Sequence, residues 1–490
     1  MVAADGPSFC GRDVQVSHAR FHGPVAAPPR PRPRGRLARV SWHIDSWKDK
    51  PHAQDVSYDD PAALSSVVTK LKTLPPLVTS WEVERLKELI AEAQVGKRFL
   101  LQGGDCAETL ADCQSGIIAN KLKILLQMSL VLIHASKKPV VRVGRLAGQY
   151  AKPRSSPTES KDGVVLPSYF GDIVNRPEFT AEGRRFDPRA MLDAYGHAAM
   201  TLNFVRSLAI GGFADMHHPE YWDLGFMSRA DLPDDVRAEY KQTTEKLSEA
   251  LRFMEAIGES TVEELTRVTF YTSHEGLNLH YESAQTRTVP RRDGHYLLTT
   301  HMPWIGERTR ALDGAHVEFF RGVENVVGVK LGPKVDPEDA VRLLTALNPT
   351  NEPGKLVAIT RMGAANVERS LPPLVEAVRR AERRILWVSD PMHGNGITTA
   401  SGLKTRSFDD ILTEIERSFA VHARLGTILG GVHFELTGED VTECIGGGLR
   451  EADLDKNYLS VCDPRLNYRQ ALEMALRLGS WMSGARTARL

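Results

Sequence analysis

Short apolar runs rich in branched residues recur along the chain, separated by longer segments, and predict buried β-strands. Eight strands that alternate with helices predict a (β/α)8 TIM barrel, although a doubly wound sheet shows the same alternation. The predicted strands are Arg98–Gly103, Pro139–Gly144, Arg267–Thr272, His301–Gly306, Val326–Gly332, Leu356–Thr360, Arg384–Ser389 and Gly431–Leu436.

Helical patterns lie before the first strand and between later ones. An amphipathic helix is predicted at Asp234–Ile257, within the long segment 177–265 that follows strand two. We therefore expect an α/β fold, a (β/α)8 TIM barrel with an N-terminal helical extension and a helical insertion after strand two. The other predicted helices are 60–73, 80–95, Pro337–Leu347, Leu371–Glu382 and Phe408–His422.

The chain divides into three predicted parts. Residues 1–38 are rich in Pro and Arg and predict a disordered leader, with a basic targeting or interaction arm as the alternative. Residues 39–97 form the helical extension, and 98–490 form the catalytic barrel with its insertion at about 177–265. We expect a cytoplasmic protein, or a plastid one if the leader is a transit peptide.

Composition and charge narrow the function classes. The chain has 490 residues, 42% hydrophobic and 25% charged, with 62 basic and 62 acidic side chains. This balance gives no bulk electrostatic case for binding nucleic acid or a membrane surface, and we expect no apolar run near the ~18 residues of a spanning helix. The five cysteines lie far apart, which favours a reducing compartment over a disulfide framework.

Ionisable residues stand at or just after the end of each predicted strand. In a TIM barrel the active site is built at these C-terminal strand ends. A cationic set at one rim indicates small, anionic, phosphorylated substrates, with ordinary surface ion pairs as the alternative. This set comprises Arg145, Lys152, Arg154, Arg308, Lys330 and Arg361.

A second set offers sulfur, nitrogen and oxygen ligands. Cys106, His393, Glu435 and Asp463 would together suit a divalent transition metal such as Mn, Co, Fe or Zn better than Ca or Mg. Taken singly, each is more simply a buried small residue or a solvated surface group. Their spacing along the chain matches no characteristic metal-binding motif. The hypothesis of a metal site therefore depends on all four side chains lying close together in the fold.

The same segments resemble the type II, plant-like 3-deoxy-D-arabino-heptulosonate 7-phosphate (DAHP) synthases. The resemblance runs in order from about Trp42 to the end of the chain. Its most specific stretches are Leu100–Thr109 (LLQGGDCAET), Arg142–Pro153 (RVGRLAGQYAKP), Thr272–Glu275 (TSHE), Trp304–Arg310 (WIGERTR), Thr360–Ala364 (TRMGA), Trp387–Asn395 (WVSDPMHGN), Gly402–Phe408 (GLKTRSF), Gly430–Glu435 (GGVHFE) and Cys462–Asn467 (CDPRLN).

The resemblance implies a TIM barrel that condenses phosphoenolpyruvate with erythrose 4-phosphate, the first step of the shikimate pathway. One divalent ion, Mn(II) favoured or Co(II), would be bound by Cys106, His393, Glu435 and Asp463. Catalysis would involve Glu307, Lys330 and His393. Phosphoenolpyruvate would be bound by Arg145, Glu307, Arg308, Lys330 and Arg361, and erythrose 4-phosphate by Lys152, Arg154 and Ser155.

Several further expectations follow from the resemblance. They are a homo-oligomer (dimer or tetramer), an aromatic amino acid effector and a chorismate mutase partner. The alternatives are an aminoDAHP synthase of a secondary-metabolite pathway and a catalytically silent regulatory homologue. Cys462 precedes Asp463, so a Cys106–Cys462 disulfide in the metal-free protein is a further hypothesis, with an inert Cys462 that faces away as the alternative.

Overall fold

The computed structural model of the chain describes residues 42–210 and 269–483, with Ala238 and Glu245 as isolated helical positions between them. The predicted leader at 1–38 lies outside the described residues. So does the predicted helix Asp234–Ile257, apart from those two positions. The division of the chain into leader, extension and barrel therefore stays a prediction.

A closed barrel of eight parallel strands confirms the predicted fold. Each strand pairs with its neighbours in chain order, and the last strand closes the barrel against the first, with Gly104 opposite Glu435. The strands are β1 Phe99–Gly104, β2 Val140–Arg145, β3 Phe270–Glu275, β4 Met302–Ile305, β5 Val327–Leu331, β6 Leu356–Thr360, β7 Leu386–Ser389 and β8 Leu429–Glu435.

The third strand lies three residues further along the chain than predicted. The apolar run at Arg267–Thr272 suggested that the polar residues after it form a loop, but β3 continues through Glu275. Ser273 and His274 are buried because each finds a polar partner: Ser273 Oγ accepts from Gln102 Nε2 at 3.0 Å, and His274 Nε2 lies 2.8 Å from Glu282 Oε1. Internal hydrogen bonds therefore allow a polar sequence to occupy a buried strand.

Helices surround the barrel, and local signals fix several of their ends. Asp336 caps one helix by accepting from the N–H groups of Glu338 and Asp339, and Pro337 occupies its first turn. Among the described residues, the α-helices of six or more residues are α1 Pro61–Thr73, α2 Ser80–Gln94, α3 Ser115–Ser136, α4 Ala190–Ile210, α5 Leu279–Ala284, α6 Ala315–Phe320, α7 Pro337–Leu347, α8 Val367–Arg380, α9 Phe408–Arg424 and α10 Tyr468–Met482.

Helix α2 of the N-terminal extension closes the bottom of the barrel. Its apolar residues Leu86, Ile90 and Ala93 belong to one buried cluster with side chains of the barrel strands, including Leu100 and Trp304. A capping box between Thr79 and Glu82 fixes where the helix begins. The opposite, C-terminal end of the barrel stays free for a functional site.

Helix α3 corrects the expectation that no apolar run approaches membrane-spanning length. Its 22 residues, Ser115–Ser136, are long and apolar enough by length and composition, and 67% of the most apolar window is buried inside the protein. The helix shares a hydrophobic cluster with α10, in which Met128 and Val131 lie with Leu472 and Ala475. Its apolar surface is thus part of the packed core.

Candidate active site

A cavity of about 310 Å³ opens at the C-terminal end of the barrel. The structure brings every predicted site residue to its wall. These residues are Cys106, Arg145, Lys152, Arg154, Ser155, Glu307, Arg308, Lys330, Arg361, His393, Glu435 and Asp463. They come from separate strand ends and loops, so the fold, and not local sequence, collects them.

The predicted metal ligands lie together. Ligand atoms of Cys106, Glu435 and Asp463 are all within 4.8 Å of one another. His393 Nε2 is 3.0 Å from Glu435 Oε1, which places the fourth predicted ligand beside them. A set of one thiol, one imidazole and two carboxylates fits a divalent transition metal by the chemistry of its donors.

Lys152 supplies positive charge inside this group. Its Nζ lies 2.8 Å from Cys106 Sγ and 2.6 Å from Asp463 Oδ2. Burial opposes the ammonium charge, but the neighbouring Cys106 and Asp463 raise the pKa of Lys152 well above its usual value. These neighbours therefore stabilise the charged Lys152 ammonium, and Lys152 connects the ligands with the loop that follows β2.

Asp390 orients the ring of His393. Its Oδ2 lies 2.8 Å from His393 Nδ1, and its Oδ1 accepts from the Met392 N–H at 3.0 Å. The same carboxylate forms an ion pair with Lys330. Although burial opposes its charge, His393 and Lys330 hold the pKa of Asp390 well below its usual range. Metal-binding histidines commonly use their second nitrogen in this way, which directs the other nitrogen toward the ion.

Arg145 joins several parts of the site. Its guanidinium donates to the carbonyl oxygens of Asp105 (2.9 Å) and Cys106 (3.0 Å) and to Glu435 Oε1 (3.0 Å). Its Nη1 also lies 2.6 Å from His433 Nε2. Sequence reasoning assigned Arg145 to the substrate alone, whereas these contacts show that it also fixes the surroundings of Cys106 and Glu435.

Trp304 forms an apolar wall next to two cations. The guanidinium carbon of Arg145 is 5.2 Å from a Trp304 ring centroid, and Lys330 Nζ is 5.8 Å away. Both distances allow cation–π attraction. Burial lowers the pKa of Lys330 to about 8, so this ammonium can give up its proton more readily than an ordinary lysine.

The other predicted anion-binding residues lie nearer the entrance. Arg308 Nη2 donates to Ser155 Oγ at 2.8 Å, and this contact joins the loops that follow β4 and β2. Arg361 Nη2 donates to the His393 carbonyl oxygen at 2.6 Å. We call Arg154, Ser155, Arg308 and Lys404 the rim of the cavity, and Cys106, Arg145, Lys330 and Glu435 its floor.

Glu108 shapes the loop that carries Lys152, Arg154 and Ser155. Its buried carboxylate accepts from the N–H groups of Ala147, Gly148 and Gln149 at 3.0, 2.9 and 2.9 Å. The turn needs positive φ at Ala147 (61°) and Gly148 (157°). A Cβ on Gly148 would lie 2.4 Å from His274 Nδ1, so only glycine fits there.

A network of charges fixes the segment that bears Asp463. Arg465 donates to Asp105 Oδ1 at 2.7 Å and to Glu443 Oε1 at 2.8 Å. Asp105 also pairs with Lys121 at 2.5 Å. Asp105 adjoins Cys106, and Arg465 lies two residues after Asp463. The network therefore fixes the positions of these two predicted ligands relative to each other.

Comparison with known proteins adds independent evidence. A profile of the Class-II DAHP synthetase family matches residues 42–479. The chain belongs to the Class-II DAHP synthetase family.

Three curated relatives agree with this assignment, and each is named phospho-2-dehydro-3-deoxyheptonate aldolase. The protein from Neurospora crassa is 46% identical over 89% of this chain and 93% of its own length. The protein from Streptomyces coelicolor is 47% identical over 88% and 95%. The protein from Mycolicibacterium smegmatis is 43% identical over 88% and 93%. The similarity therefore spans most of both proteins in each comparison.

The predicted set did not include several residues that line the cavity of this Class-II DAHP synthetase family member. They include Gln149, Glu159, Glu275, Trp304 and Lys404. Lys404 Nζ lies 3.2 Å from Asp463 Oδ1, and burial raises the pKa of Glu275. Glu275 and Trp304 lie in family motifs at strand ends, so position alone could have indicated them. Glu159 lies in a small hairpin, Thr158–Lys161 with Val164–Pro167, whose sequence carries no such signal.

Cys462 is a neighbour of Cys106. Burial, together with this neighbouring side chain, raises the pKa of the Cys106 thiol. The proximity favours the hypothesis of a disulfide over a Cys462 that points away. The disulfide stays a prediction, and peptide mapping of oxidised, metal-free protein under non-reducing conditions tests it.

Proposed function

We propose that this cavity condenses phosphoenolpyruvate with erythrose 4-phosphate to give DAHP and phosphate, the first step of the shikimate pathway. Membership of the Class-II DAHP synthetase family and the names of the relatives support this activity. The main observation behind the proposal is that two kinds of side-chain group line one cavity. A group of sulfur, nitrogen and oxygen ligands adjoins a set of cationic side chains suited to two phosphorylated anions.

Phosphoenolpyruvate would be bound by Arg145, Glu307, Arg308, Lys330 and Arg361. The arginines can each offer two parallel N–H groups to a phosphate or carboxylate, and the Lys330 ammonium adds a point charge. Glu307 pairs with Arg310 at 2.7 Å through Oε1, while its buried Oε2 has no hydrogen-bond partner among the described residues. A free carboxylate oxygen at this place is suited to bind a water molecule.

Erythrose 4-phosphate would be bound at its phosphate end by Lys152, Arg154 and Ser155. Lys152 is buried between the ligand group and the loop, whereas Ser155 is exposed at the rim. The sugar phosphate would thus extend from the rim toward Cys106 and Asp463. Cations on both sides offset the repulsion between the two substrates and hold their reacting carbons together.

One divalent ion, with Mn(II) favoured and Co(II) as another candidate, would be held by Cys106, His393, Glu435 and Asp463. When bound, such an ion supplies Lewis-acid polarisation of the aldehyde oxygen. The buried carboxylate of Glu435 and the ring of His393, already oriented by Asp390, present two of these donors at 3.0 Å from each other.

In the reaction, C3 of phosphoenolpyruvate forms a bond to the aldehyde carbon, the C=O π pair moves to the aldehyde oxygen, which takes up a proton, and positive charge develops at C2. Water adds at C2 and one of its protons passes to Glu307. The remaining C2 hydroxyl then loses its proton and becomes the carbonyl as the C2–O bond to phosphate breaks, and the phosphate leaves with that electron pair. Lys330, with its pKa lowered by burial to about 8, is charged for the most part at neutral pH and can also donate a proton. His393 completes the proposed catalytic residues.

A direct assay tests the proposal. Purified protein should consume phosphoenolpyruvate only when erythrose 4-phosphate is present, and should release phosphate in equal amount. Inactivity with erythrose 4-phosphate but turnover with an imino sugar phosphate would favour an aminoDAHP synthase instead. Inactivity with both would favour a silent regulatory homologue. The names of the relatives give no support to either alternative.

We also propose that the protein forms a homo-oligomer and is regulated by an effector, through surfaces outside the cavity. The family resemblance suggests that the additions to the barrel at 42–97 and 177–265 carry contacts between subunits, so a homodimer or homotetramer is expected. An aromatic amino acid effector, a chorismate mutase partner and a cytoplasmic location complete this proposal. Light scattering at micromolar concentration, and assays with Trp, Phe and Tyr singly and mixed, test the first two parts.

A further inference from the structure

The N-terminal strap, residues 42–60, is anchored at its start on the side of the barrel. Trp47 is buried in a cluster that includes Ala315 and Phe320 of α6. Trp42 Nε1 donates to the Glu318 carbonyl oxygen at 3.0 Å, and the Ala315 N–H donates to the Pro51 carbonyl oxygen at 2.9 Å. Helix α6 follows the β4 loop that bears Glu307 and Arg308, so the strap begins beside one wall of the cavity.

The strap is anchored again at its far end. Tyr58 is buried, and its hydroxyl accepts from Asn278 Nδ2 at 3.1 Å, in the loop that follows β3. Val56 packs against the same hydrophobic cluster that contains Tyr58, Ala151 and Phe170. Two fixed ends leave the residues between them little freedom, so a side chain in that interval can hold a neighbouring loop in place.

Gln54 occupies this interval and reaches the rim of the cavity. Its Oε1 accepts from the backbone N–H of Arg154 at 2.6 Å. The backbone of Gln54 has φ of 63°, a left-handed conformation that non-glycine residues seldom adopt. The fold thus maintains an uncommon conformation at a position from which the side chain contacts the loop of Lys152, Arg154 and Ser155.

Other contacts fix different parts of the same loop. The Lys152 N–H donates to the Phe170 carbonyl oxygen at 2.9 Å, and the side chain of Arg154 lies 3.6 Å from Glu159 Oε2. Neither contact fixes the peptide group between Pro153 and Arg154, which sets where both Arg154 and Ser155 point. Gln54 contacts that peptide group directly.

We infer that Gln54 is a positioning residue for erythrose 4-phosphate, acting through the backbone of Arg154. The inference rests on the proposed function, in which Arg154 and Ser155 bind that substrate. Without the Gln54 contact the loop would sample other conformations, and only a fraction of molecules would present both residues to the phosphate. Phosphoenolpyruvate binding would change less, because Arg145, Lys330 and Arg361 are held by contacts outside this loop. Of its proposed residues, Arg308 meets the loop, through Ser155.

The experiment compares Gln54→Met with a matched control. Methionine keeps the length of the side chain and removes the amide oxygen. Gln94→Met removes the same kind of contact elsewhere, because Gln94 Oε1 accepts from the Gly354 N–H at 3.0 Å, away from the cavity. We expect Gln54→Met to raise the KM for erythrose 4-phosphate roughly 2- to 12-fold, the effect of one neutral hydrogen bond. The KM for phosphoenolpyruvate should rise less than that for erythrose 4-phosphate, kcat should not change, and Gln94→Met should change none of the three.

Two further variants separate the ways in which the inference could fail. Gln54→Glu keeps an acceptor oxygen and should restore the KM at an ionic strength that screens its added charge. Arg154→Ala tests the proposed function itself: an unchanged KM for erythrose 4-phosphate would refute the assignment of the loop. If Arg154→Ala raises that KM and Gln54→Met does not, the positioning role is refuted and the assignment stands. Equal rises in both KM values in Gln54→Met would show a merely structural role and also overturn the inference.

Discussion

On the floor of the cavity, Arg145 and Glu435 are buried and bonded to each other, whereas at the rim Ser155 and Arg308 are exposed and meet through one hydrogen bond. A floor residue such as Arg145 has several partners that already fix its geometry before substrate binds. A rim residue depends on one or two contacts, some of them from outside the barrel, such as that of Gln54 with Arg154.

This difference between floor and rim indicates how changes in each would affect turnover and substrate affinity. Charge that develops during the reaction must be stabilised at the floor. The charged groups there are already fixed in place, so little reorganisation is needed when that charge forms. The rim can adapt because long side chains there are only loosely held. We therefore expect changes on the floor to affect turnover strongly and changes at the rim to affect mainly the affinity for one substrate.

Removal of metal should have the largest effect. Chelation by EDTA should abolish turnover, and Mn(II) or Co(II) should restore it. His393→Ala should lose activity and bind Mn(II) more weakly in equilibrium dialysis, because a donor and its orienting contact with Asp390 are both lost. His197→Ala, in a histidine outside the cavity, is the control. Full activity of metal-stripped His393→Ala protein would refute the metal site.

Arg361→Ala should weaken phosphoenolpyruvate binding next most strongly. The lost bidentate anion contact is worth about 1.5–3 kcal/mol, which corresponds to a roughly 10- to 150-fold rise in the dissociation constant. Arg379→Ala is a matched control, because Arg379 likewise donates to a backbone carbonyl oxygen, that of Leu425 at 2.9 Å, but does not line the cavity. An unchanged dissociation constant in Arg361→Ala would place this residue outside the substrate site.

The affinity for phosphoenolpyruvate should fall as pH rises above about 8, by up to roughly tenfold per unit, because Lys330 loses its charge with a pKa of about 8. Stability should respond in the opposite direction. Between pH 8 and the ordinary lysine value of 10.5, the unfolded chain binds a proton at this position that the folded protein does not, so Lys330 makes the free energy of unfolding increase with pH.

Lys355 provides the control for this pH dependence. Burial lowers its pKa to about 8 as well, but it does not line the cavity. Lys355→Met should therefore leave the pH profile of phosphoenolpyruvate binding unchanged, measured by fluorescence titration. A profile that stays flat through pH 8 to 10 in the unmodified protein would contradict the role proposed for Lys330.

Ser155→Ala should have the smallest effect. It removes the contact with Arg308 and one donor for erythrose 4-phosphate, so the KM for this substrate should rise roughly 2- to 12-fold with kcat unchanged. Ser136→Ala, which removes a bond to the Leu132 carbonyl oxygen in α3, is the control. A large loss of kcat in Ser155→Ala would remove the distinction between floor and rim.

Sequence reasoning recovered the barrel because apolar runs mark buried parallel strands. It misplaced β3 because Ser273 and His274 are polar but satisfied internally by Gln102 and Glu282. It also collected the candidate site residues, since strand ends converge in a barrel and the family motifs are long.

What could not be predicted are contacts between residues far apart in the chain. Nothing near Lys152 in sequence indicates that its ammonium lies between Cys106 and Asp463, because that depends on a segment more than 300 positions away. The same holds for Gln54, whose partner Arg154 is 100 positions distant. Such contacts are set by packing of whole elements, and local patterns carry no information about them.

The closure of the barrel by α2 has a consequence for biosynthesis. Helix α2 emerges from the ribosome early, yet its apolar residues Leu86 and Ile90 are buried in one cluster with Val357 of β6 and Val388 of β7. The nascent chain must therefore carry an exposed apolar helix until nearly the whole barrel has been translated. Such surfaces invite aggregation and chaperone binding. A shortened chain that begins after residue 94 would in turn leave the apolar bottom of the barrel exposed.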